Sequence, residues 1–368
     1  MTIENLNEET ESREGFVESG KLVDDILANS QFDKSFILDY PFTYFVDEIR
    51  LSHSTLQTLE SCPRKFEFSK LFQNPKHEDS LATGFGTALH RGFQDWLINH
   101  DYNHAVYQMM LAYPWELGES PMKDRSAEGA LALLDEMIKQ FPEERYELAY
   151  IEDADGNKLP CVEVPFKLIF DEMQTLSMTS RTAEGSACKF IPLFYVGYMD
   201  LVLYDKVENK FIVIDIKTTS DRLEDLSPKY KFSDQTVPYG LVLNKLMGLS
   251  IDELEVGYYT ARPSLMDPKV ELYRFYKSGD DLADWAKGMT SSLNNLAYWF
   301  KNCYFPRTRN GCSFFGRTCP YYNYCQDRNI KRTQIQLAYD GEMSPALPFE
   351  TWCEVHISLK EIINGSNC

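Results

Sequence analysis

The sequence predicts an α/β fold in which a mixed central β-sheet is flanked by helices. Segments with the apolar periodicity of amphipathic helices come first, and runs rich in β-branched and aromatic residues begin near residue 161. A further helical segment and further strand-like runs follow them. This order is typical of helices that pack against a mixed sheet, and a chain of 368 residues with 43% hydrophobic residues can bury a large core.

The predicted helices lie on both sides of the strand-rich region. Residues 52–61 open with Ser and Thr, which cap helices well, and Pro63 then predicts a turn or the first turn of a new helix at Cys62. Residues 84–99 place four apolar side chains on one helical face: Leu89, Phe93, Trp96 and Leu97. The other predicted helices cover residues 126–141, about 234–247 and 282–302.

The predicted strands have the composition of a partly buried sheet. They are CVEVPFKLIF at 161–170, LFYVGYMDLVLY at 193–204 and FIVIDIK at 211–217, with later strands near 254–260 and 270–276. The segment DKVENK joins the second and third runs and suits a hairpin turn, so these two strands are expected to be neighbours.

Composition indicates the compartment and excludes some classes of protein. The chain has no run of 18 apolar residues, and its acidic N-terminus lacks the apolar core of a secretory signal. We therefore expect a cytoplasmic protein without a membrane span. Nine cysteines in a reducing compartment argue against a disulfide framework and leave some of them as candidates for metal binding.

The charge of the chain is strongly acidic but uneven. A formal net charge of −19 argues against nonspecific binding of phosphate backbones over the whole surface. Residues 1–50 contain twelve acidic and four basic residues, whereas residues 301–332 contain seven basic residues and one acidic residue. The basic stretch is compatible with nucleic-acid binding, and equally with a solvated charged face.

Two acidic residues and a lysine lie on the two strands that the hairpin joins. Asp200 follows GYM on the first strand, and Asp215 and Lys217 lie two residues apart on the second. Alternation places Asp215 and Lys217 on one face and the neighbouring isoleucines on the other. Carboxylates on adjacent strands can bind Mg²⁺ or Mn²⁺, and a lysine can orient water or neutralise a phosphate. The alternative is an ordinary edge hairpin with exposed polar residues.

Further polar residues flank this group in the sequence. Gln235 and Tyr239 are four residues apart and are predicted to share one helix face, from which both could reach a phosphate or a base. His90 lies on the predicted helix at 84–99, where small residues at 84–88 would allow a close approach to the sheet. Taken alone, such residues are more often surface or packing residues than functional ones.

Five segments, in order, resemble the RecB-like branch of the PD-(D/E)xK nuclease superfamily. They are SHSTLQTLESCPRKFEF, GTALH, GYMD, VIDIKTT and QTVPY, which together span residues 52–239. The resemblance implies a restriction-endonuclease-like core in which His90, Asp200 and Asp215 bind the metal. It also implies that Lys217 is the motif lysine, that Gln235 and Tyr239 lie near the DNA, and that Glu163 is an accessory acid.

The cysteines extend the resemblance to about residue 325. One early and three late cysteines resemble those of the iron–sulphur CRISPR-associated RecB-like exonucleases and of the AddB nuclease domain: Cys62, Cys312, Cys319 and Cys325. The resemblance implies a structural [4Fe–4S] cluster, with Cys303 as a rival ligand. Zinc and free thiols remain alternatives. The other cysteines look isolated: Cys161, Cys188, Cys353 and Cys368.

Basic and aromatic residues surround the late cysteines, and they suggest two uses. They are Arg307, Arg309, Arg317, Phe314, Phe315, Tyr321 and Tyr322. The arginines could contact phosphates and the rings could stack on bases in a groove for single-stranded DNA. The alternative is that the rings pack around the cysteines.

These observations together predict a metal-dependent deoxyribonuclease. We expect an acidic tail at 1–47, a nuclease domain at 48–330 with a helical insertion at about 95–150, an iron–sulphur staple formed by Cys62 with residues 303–325, and an extension at 331–368. The expected activity is exonucleolytic, on single-stranded DNA or DNA ends. Because the sequence lacks a GxxxxGK[ST] loop, unwinding would require a helicase or recombination partner. The alternative is a non-catalytic iron–sulphur or zinc subunit that binds DNA or acts as a scaffold.

Overall fold

The structure, a computed structural model, begins with a group of helices, continues with a run of consecutive strands and ends with helices and strands in mixed order. The residues it describes are 44, 46–72, 81–115, 123–152, 156–182, 185–250, 254–302, 304–308, 312–314, 317–326 and 353–365. The helices are α1 His53–Ser61, α2 Pro63–Phe66, α3 Leu81–Asn99, α4 Tyr102–Ala112, α5 Ala127–Gln140, α6 Ser227–Lys231, α7 Val237–Leu246, α8 Gly279–Lys301, α9 Tyr322–Gln326 and α10 Leu359–Gly365. Among these described helices, none is long and apolar enough to cross a membrane.

The strands include one of 21 residues, β7. In chain order they are β1 Ile49–Leu51, β2 Tyr146–Leu148, β3 Tyr150–Glu152, β4 Lys158–Pro160, β5 Val162–Phe170, β6 Thr175–Thr182, β7 Gly185–Asp205, β8 Lys210–Thr218, β9 Leu254–Arg262, β10 Lys269–Lys277, β11 Ser313–Phe314, β12 Arg317–Thr318 and β13 Cys353–Ile357. The hairpin predicted between the second and third strand-like runs is therefore present as β7 and β8.

The chain divides into two compact units. Unit 1 comprises Met1–Lys76, Ile169–Tyr195 and Lys287–Phe349, and unit 2 comprises His77–Leu168, Val196–Ala286 and Glu350–Cys368. Strands β5 and β7 and helix α8 each contribute residues to both units.

Unit 2 is built on a mixed sheet with the strand order β10–β9–β8–β7–β5–β13. Its central strand β8 pairs antiparallel with β7, from Leu201↔Ile214 to Asp205↔Lys210, and parallel with β9. Residues 212–216 of β8 are all buried, as expected for a strand that is covered on both faces. The predicted mixed α/β architecture is confirmed.

Helices α3 and α5 contribute apolar faces to the core of unit 2. The predicted face of α3 is buried, with Leu89 and Phe93 fully inaccessible to solvent. The Phe93 ring lies 5.1 Å from the ring of Tyr259 on β9 and 5.6 Å from that of Phe141. Each large apolar side chain buried in this way contributes about 1.5–3 kcal/mol to folding, so this helix is fixed firmly against the sheet.

Unit 1 combines a β-ribbon with a buried carboxylate. Strand β6 pairs antiparallel with the first part of β7, and β1 pairs parallel with residues 193–195 of β7. Glu67, at the start of a π-helical segment, is completely buried and accepts a hydrogen bond of 2.9 Å from the Tyr44 hydroxyl. Its Oε2 lies 3.2 Å from Nε of Arg64, so the buried charge has a counter-charge.

Several elements were not anticipated from the sequence, namely β6, β13 and α10, whereas α4 lies within the helical insertion expected at about 95–150. Strand β13 lies beside β5 in the sheet, so part of the expected extension at 331–368 completes unit 2. Its five residues alternate between buried and exposed, but so short a pattern is weak evidence by itself. The expected acidic tail at 1–47 lies almost entirely outside the described residues.

A charged network closes the β7–β8 hairpin in unit 2. Asp205, fully buried at the end of β7, accepts hydrogen bonds from Arg145 (2.7 and 2.9 Å) and from Arg274 (2.9 Å). Its other oxygen accepts the backbone N–H groups of Val207 and Glu208. Burial opposes ionisation, but these donors outweigh burial and lower the pKa of Asp205 to about 2.

We predict that Asp205→Asn destabilises the protein by about 2 kcal/mol or more at pH 7, because Arg145 and Arg274 lose their buried counter-charge and keep only the less buried Glu208 and Glu255. The folded pKa of about 2 lies below the value of about 3.9 for an unfolded aspartate. The contribution of the carboxylate is therefore present above about pH 4 and is lost as the pH falls towards 2. Urea denaturation of both proteins at several pH values measures this difference.

Asp225→Asn is the matched control, because Asp225 pairs with Arg222 at an exposed site. It should change the free energy of unfolding by less than about 0.5 kcal/mol. Equal stability of Asp205→Asn and the parent at pH 7 would show that the network does not stabilise the fold.

Candidate metal and catalytic centre

Asp200 lies where the pairing of β7 and β8 ends. The last backbone pair towards this end is Leu201↔Ile214, and Asp200 follows immediately beyond it. Its Oδ2 accepts the backbone N–H of Ile216 at 2.8 Å, so the side chain takes a donor from the neighbouring strand. This hydrogen bond fixes the carboxylate of Asp200 against β8.

Asp215 and Lys217 share one face of β8, as the alternation predicted. Ile214 and Ile216 are buried on the other face, while the side chain of Asp215 is only 1% exposed. The Lys217 Nζ lies 2.7 Å from Asp215 Oδ2. The alternative of an ordinary edge hairpin is wrong, because β8 lies between β7 and β9.

The electrostatic state of the three groups follows from their burial. Burial raises the pKa of both Asp200 and Asp215 to about 6, and Lys217 opposes this rise in each case. Burial lowers the pKa of Lys217, but Asp215 and Asp200 outweigh it, and the net pKa is raised. The lysine therefore remains protonated at neutral pH, while the carboxylates require compensating positive charge.

His90 reaches the same region from α3. One turn earlier, Gly86 faces β8, and a Cβ atom added there would lie 3.1 Å from Thr218 Oγ1. The expected close approach of this helix to the sheet is therefore confirmed. The His90 Nδ1 lies 3.7 Å from Asp200 Oδ2. Burial, the largest cause, lowers the pKa of His90, which keeps its imidazole neutral and available as a metal ligand.

Two further side chains join this group. Ligand atoms of His90, Glu163 and Asp200 all lie within 4.8 Å of one another. Gln94, which is 3% exposed, donates Nε2 to Glu163 Oε1 at 2.8 Å and to the Asp200 carbonyl oxygen at 3.3 Å. Gln94 was not predicted as a site residue from the sequence, although its position four residues after His90 places both on one side of α3.

Gln235 lies at the centre, but it does not share a helix face with Tyr239 as predicted. Helix α7 begins at Val237, because Pro238 is tolerated only in a first turn. Gln235 therefore lies in the preceding turn and donates Nε2 to Asp215 Oδ1 at 2.9 Å. Tyr239 is 7% exposed and packs edge-on against the ring of Phe166 at 5.5 Å, so its aromatic ring has a packing role.

A buried lysine supports the turn that carries Gln235. Lys277, which is 3% exposed, donates Nζ to the carbonyl oxygens of Lys231 and of Ser233, the latter at 3.0 Å. The Ser233 hydroxyl in turn accepts the backbone N–H of Gln235 at 3.3 Å. These bonds tie the turn to β10 and so restrict where the Gln235 amide can point.

The residues present fit a hard divalent cation. Carboxylate oxygens and a neutral imidazole are ligands that suit Mg²⁺ or Mn²⁺, and Asp200 and His90 offer them side by side. Asp215 is one strand further along the sheet, with Gln235 and Lys217 on its two oxygens.

The proposed cluster cysteines lie in unit 1 as free thiols. Cys62 is buried, and Cys312, Cys319 and Cys325 are half-buried, while Cys303 lies outside the described residues. Arg64 donates its backbone N–H to the Pro306 carbonyl at 3.1 Å and Nε to the Phe305 carbonyl at 2.7 Å. Among the described thiols, no three bring their sulphur atoms within 4.8 Å of one another.

Of the aromatic residues near these cysteines, Tyr321 is buried and packs in the interior, whereas Tyr322 is exposed. Tyr321 is 2% exposed, and its ring lies 5.5 Å from that of Phe68. Tyr322 is exposed, and exposed Arg307 donates to the Cys325 carbonyl oxygen at 2.7 Å. Arg309, Phe315 and the side chains of Phe314 and Arg317 lie outside the described part of the chain.

Comparison with known proteins was made with a family model, with curated proteins and with solved structures. A family model described as the PD-(D/E)XK nuclease superfamily matches residues 50–326, about three quarters of the sequence. No curated protein matches the chain. Among solved structures, the crystal structure of SSO0001 is similar to it at 12% identity and a TM-score of 0.21, over 57% of this chain and 74% of that one. The matched range 50–326 includes every residue of the candidate centre.

We predict that Asp200→Asn weakens Mn²⁺ binding by at least about tenfold, because the substitution removes the anionic oxygen next to His90. Calorimetric titration of the DNA-free protein with MnCl₂ measures this change. Asp267→Asn, at an exposed site, is the matched control and should bind as the parent does. An unchanged dissociation constant for Asp200→Asn would remove Asp200 from the metal site.

Proposed function

The chain belongs to the PD-(D/E)XK nuclease superfamily, and from this premise we propose that it is a deoxyribonuclease that requires Mg²⁺ or Mn²⁺. The observation that carries the proposal is the convergence of Asp200, Asp215 and Lys217 on two neighbouring strands, with His90 beside them. These groups supply metal ligands and a cation at one place, which is what hydrolysis of a phosphodiester requires.

Each residue of the centre has a distinct part in the proposed reaction. His90, Asp200 and Asp215 would bind the divalent cation, which supplies Lewis acidity towards a phosphate oxygen and lowers the pKa of bound water. Lys217, paired with Asp215 and one third exposed, presents an ammonium group that can neutralise charge on the phosphate or donate to the attacking water. Gln235 fixes the carboxylate of Asp215 through Oδ1.

We further propose that the substrate is single-stranded DNA or a DNA end, digested exonucleolytically. The strongly acidic chain disfavours nonspecific binding along a duplex, so binding would depend on local groups such as Arg307 and Tyr322. The sequence has no GxxxxGK[ST] loop, which supports a role beside a helicase or recombination partner that would supply the single strand.

The proposal includes the RecB-like branch and a structural [4Fe–4S] cluster on Cys62, Cys312, Cys319 and Cys325. The hydrogen bonds of Arg64 to Phe305 and Pro306 support it, because they join the early cysteine segment to the segment that leads to the late cysteines. Burial raises the pKa of the Cys325 thiol, and electrostatic interactions with Cys62 and Cys319 add to this rise while Arg64 and Arg307 oppose it.

The spacing of the described thiols argues against a single zinc ion that three of them share. Thiolates that share one zinc at about 2.3 Å have sulphur atoms at most about 4.6 Å apart. No three of the described thiols meet even a 4.8 Å limit. A four-iron cluster offers each thiolate a separate iron atom, so its ligands need not approach one another so closely.

We predict that Asp215→Ala and Lys217→Ala each lower Mn²⁺-dependent DNA cleavage by at least about 100-fold, since each removes charge from the reacting centre. Cleavage of end-labelled single- and double-stranded DNA measures this loss, and an exonuclease should leave circular single-stranded DNA intact. Lys229→Ala, at an exposed site, is the control for Lys217→Ala. Equal cleavage by the parent and both centre variants would favour a non-catalytic DNA-binding or scaffold subunit.

We predict that anaerobically purified protein contains iron and acid-labile sulphide and absorbs in the visible range. Cys325→Ser should lose most of the iron, whereas Cys188→Ser, at an exposed thiol of the same unit, should retain it. Colourless protein that contains zinc instead of iron would replace the cluster with a zinc site. Protein with neither metal would leave these cysteines as free thiols.

A further inference from the structure

Glu163, on β5, has no part in the reaction proposed above. There, His90, Asp200 and Asp215 bind the cation, and Lys217 neutralises charge on the phosphate. We propose that Glu163 is a direct ligand of the divalent cation, together with His90 and Asp200. This inference rests on the proposed function only in that both concern the same cation. It assigns a third strand, β5, to the metal site, beside the two strands that carry Asp200 and Asp215.

The ligand atoms of His90, Glu163 and Asp200 lie close enough together to share one cation. One nitrogen of His90, one carboxylate oxygen of Glu163 and one of Asp200 all lie within 4.8 Å of one another. Ligands on opposite sides of one Mg²⁺ at about 2.1 Å are about 4.2 Å apart, so a small side-chain movement suffices to share a cation. Within the part of the chain that the structure describes, no other His, Cys, Asp or Glu group of three meets this distance.

A buried amide, that of Gln94, positions the Glu163 carboxylate. Gln94 is 3% exposed, and its Nε2 donates to Glu163 Oε1 at 2.8 Å. The same nitrogen lies 3.3 Å from the Asp200 carbonyl oxygen, so one side chain ties β5 to β7. A carboxylate has about four acceptor sites, and one hydrogen bond therefore leaves it able to bind a cation.

The backbone of Glu163 has a φ of 49°, in the left-handed region. The other non-glycine residues with positive φ in the described chain are His100, just after α3, and Asn209, in the β7–β8 turn, where such values are common. Glu163 has it inside a strand, where a long side chain is disfavoured relative to Gly or Asn. The strained backbone directs an exposed carboxylate towards Asp200 while residues 164–166 are all buried.

The carboxylates of Glu163 and Asp200 carry the same charge. Asp200 and Glu163 face each other within 4.8 Å, which is unfavourable unless a proton or a cation lies between them. Lys217 is paired with Asp215, one strand away, and its charge favours the ionised form of both Asp215 and Asp200, so a single ammonium group serves two carboxylates. A dication next to His90 would compensate Glu163 and Asp200 at once.

The test is Mn²⁺ titration of the full-length protein without DNA, by calorimetry and by the decrease in the electron paramagnetic resonance signal of free Mn²⁺. We expect Glu163→Gln to raise the dissociation constant at least about tenfold. Glu163→Asp should also weaken binding at least several-fold, because it keeps the charge but withdraws the oxygens by one C–C bond, about 1.5 Å. Glu147→Gln, at an exposed strand position, should bind as the parent does.

Two controls separate binding from folding and from long-range charge. Glu163→Asn should melt at or above the temperature of the parent, because Asn tolerates positive φ, and yet bind Mn²⁺ as weakly as Glu163→Gln. Parent-like binding by Glu163→Gln would overturn the inference. Parent-like binding by Glu163→Asp with weak binding by Glu163→Gln would also overturn it, since charge alone would then explain the effect.

The outcomes also distinguish this inference from the proposed nuclease activity. Parent protein that binds Mn²⁺ through Glu163 but cleaves no DNA would contradict the nuclease and leave the ligand assignment standing. Parent protein that cleaves DNA while Glu163→Gln binds Mn²⁺ normally would contradict only the ligand assignment. Parent protein that binds no Mn²⁺ would overturn the assignment of Glu163.

Discussion

The hydrogen bond from the Ile216 backbone N–H to Asp200 Oδ2 is the contact on which the centre depends. It forms where β7 and β8 cease to pair, so a side chain replaces a backbone acceptor at that point. The buried strand β8 therefore keeps a satisfied N–H group, and Asp200 gains a fixed orientation. The other groups of the centre are arranged around this fixed carboxylate: His90 from α3, Glu163 from β5 and Asp215 from β8.

The supporting contacts reach the centre from different elements of unit 2. Gln94 fixes the β5 side through Glu163, and Gln235 fixes the β8 side through Asp215. Lys277, on β10, restrains the turn that carries Gln235 by donating to two backbone carbonyl oxygens near it. Reacting groups that are placed this way need little reorganisation when substrate binds, which is the general advantage of a preorganised site.

The sequence predicted those features that depend on local periodicity. Alternation along β8 placed Asp215 and Lys217 together, and the apolar face of α3 was recovered in full. It failed where packing across the fold decides. Because Pro238 lies in the first turn of α7, the helix begins after Gln235, and Gln235 and Tyr239 do not share a helix face. Gln94 is polar at a buried position, which a pattern of apolar residues does not reveal, and the strained backbone of Glu163 has no sequence signature.

The pairing of β5 with β13 has a consequence for biosynthesis. Residues 162–170 are neighbours in the sheet of residues 353–357, which the ribosome adds much later. Until then, the open edge of β5 exposes unpaired backbone groups, and the strand that carries Glu163 lacks one neighbour. Such a non-local contact slows folding, and an unpaired strand edge can pair with another chain until β13 is in place.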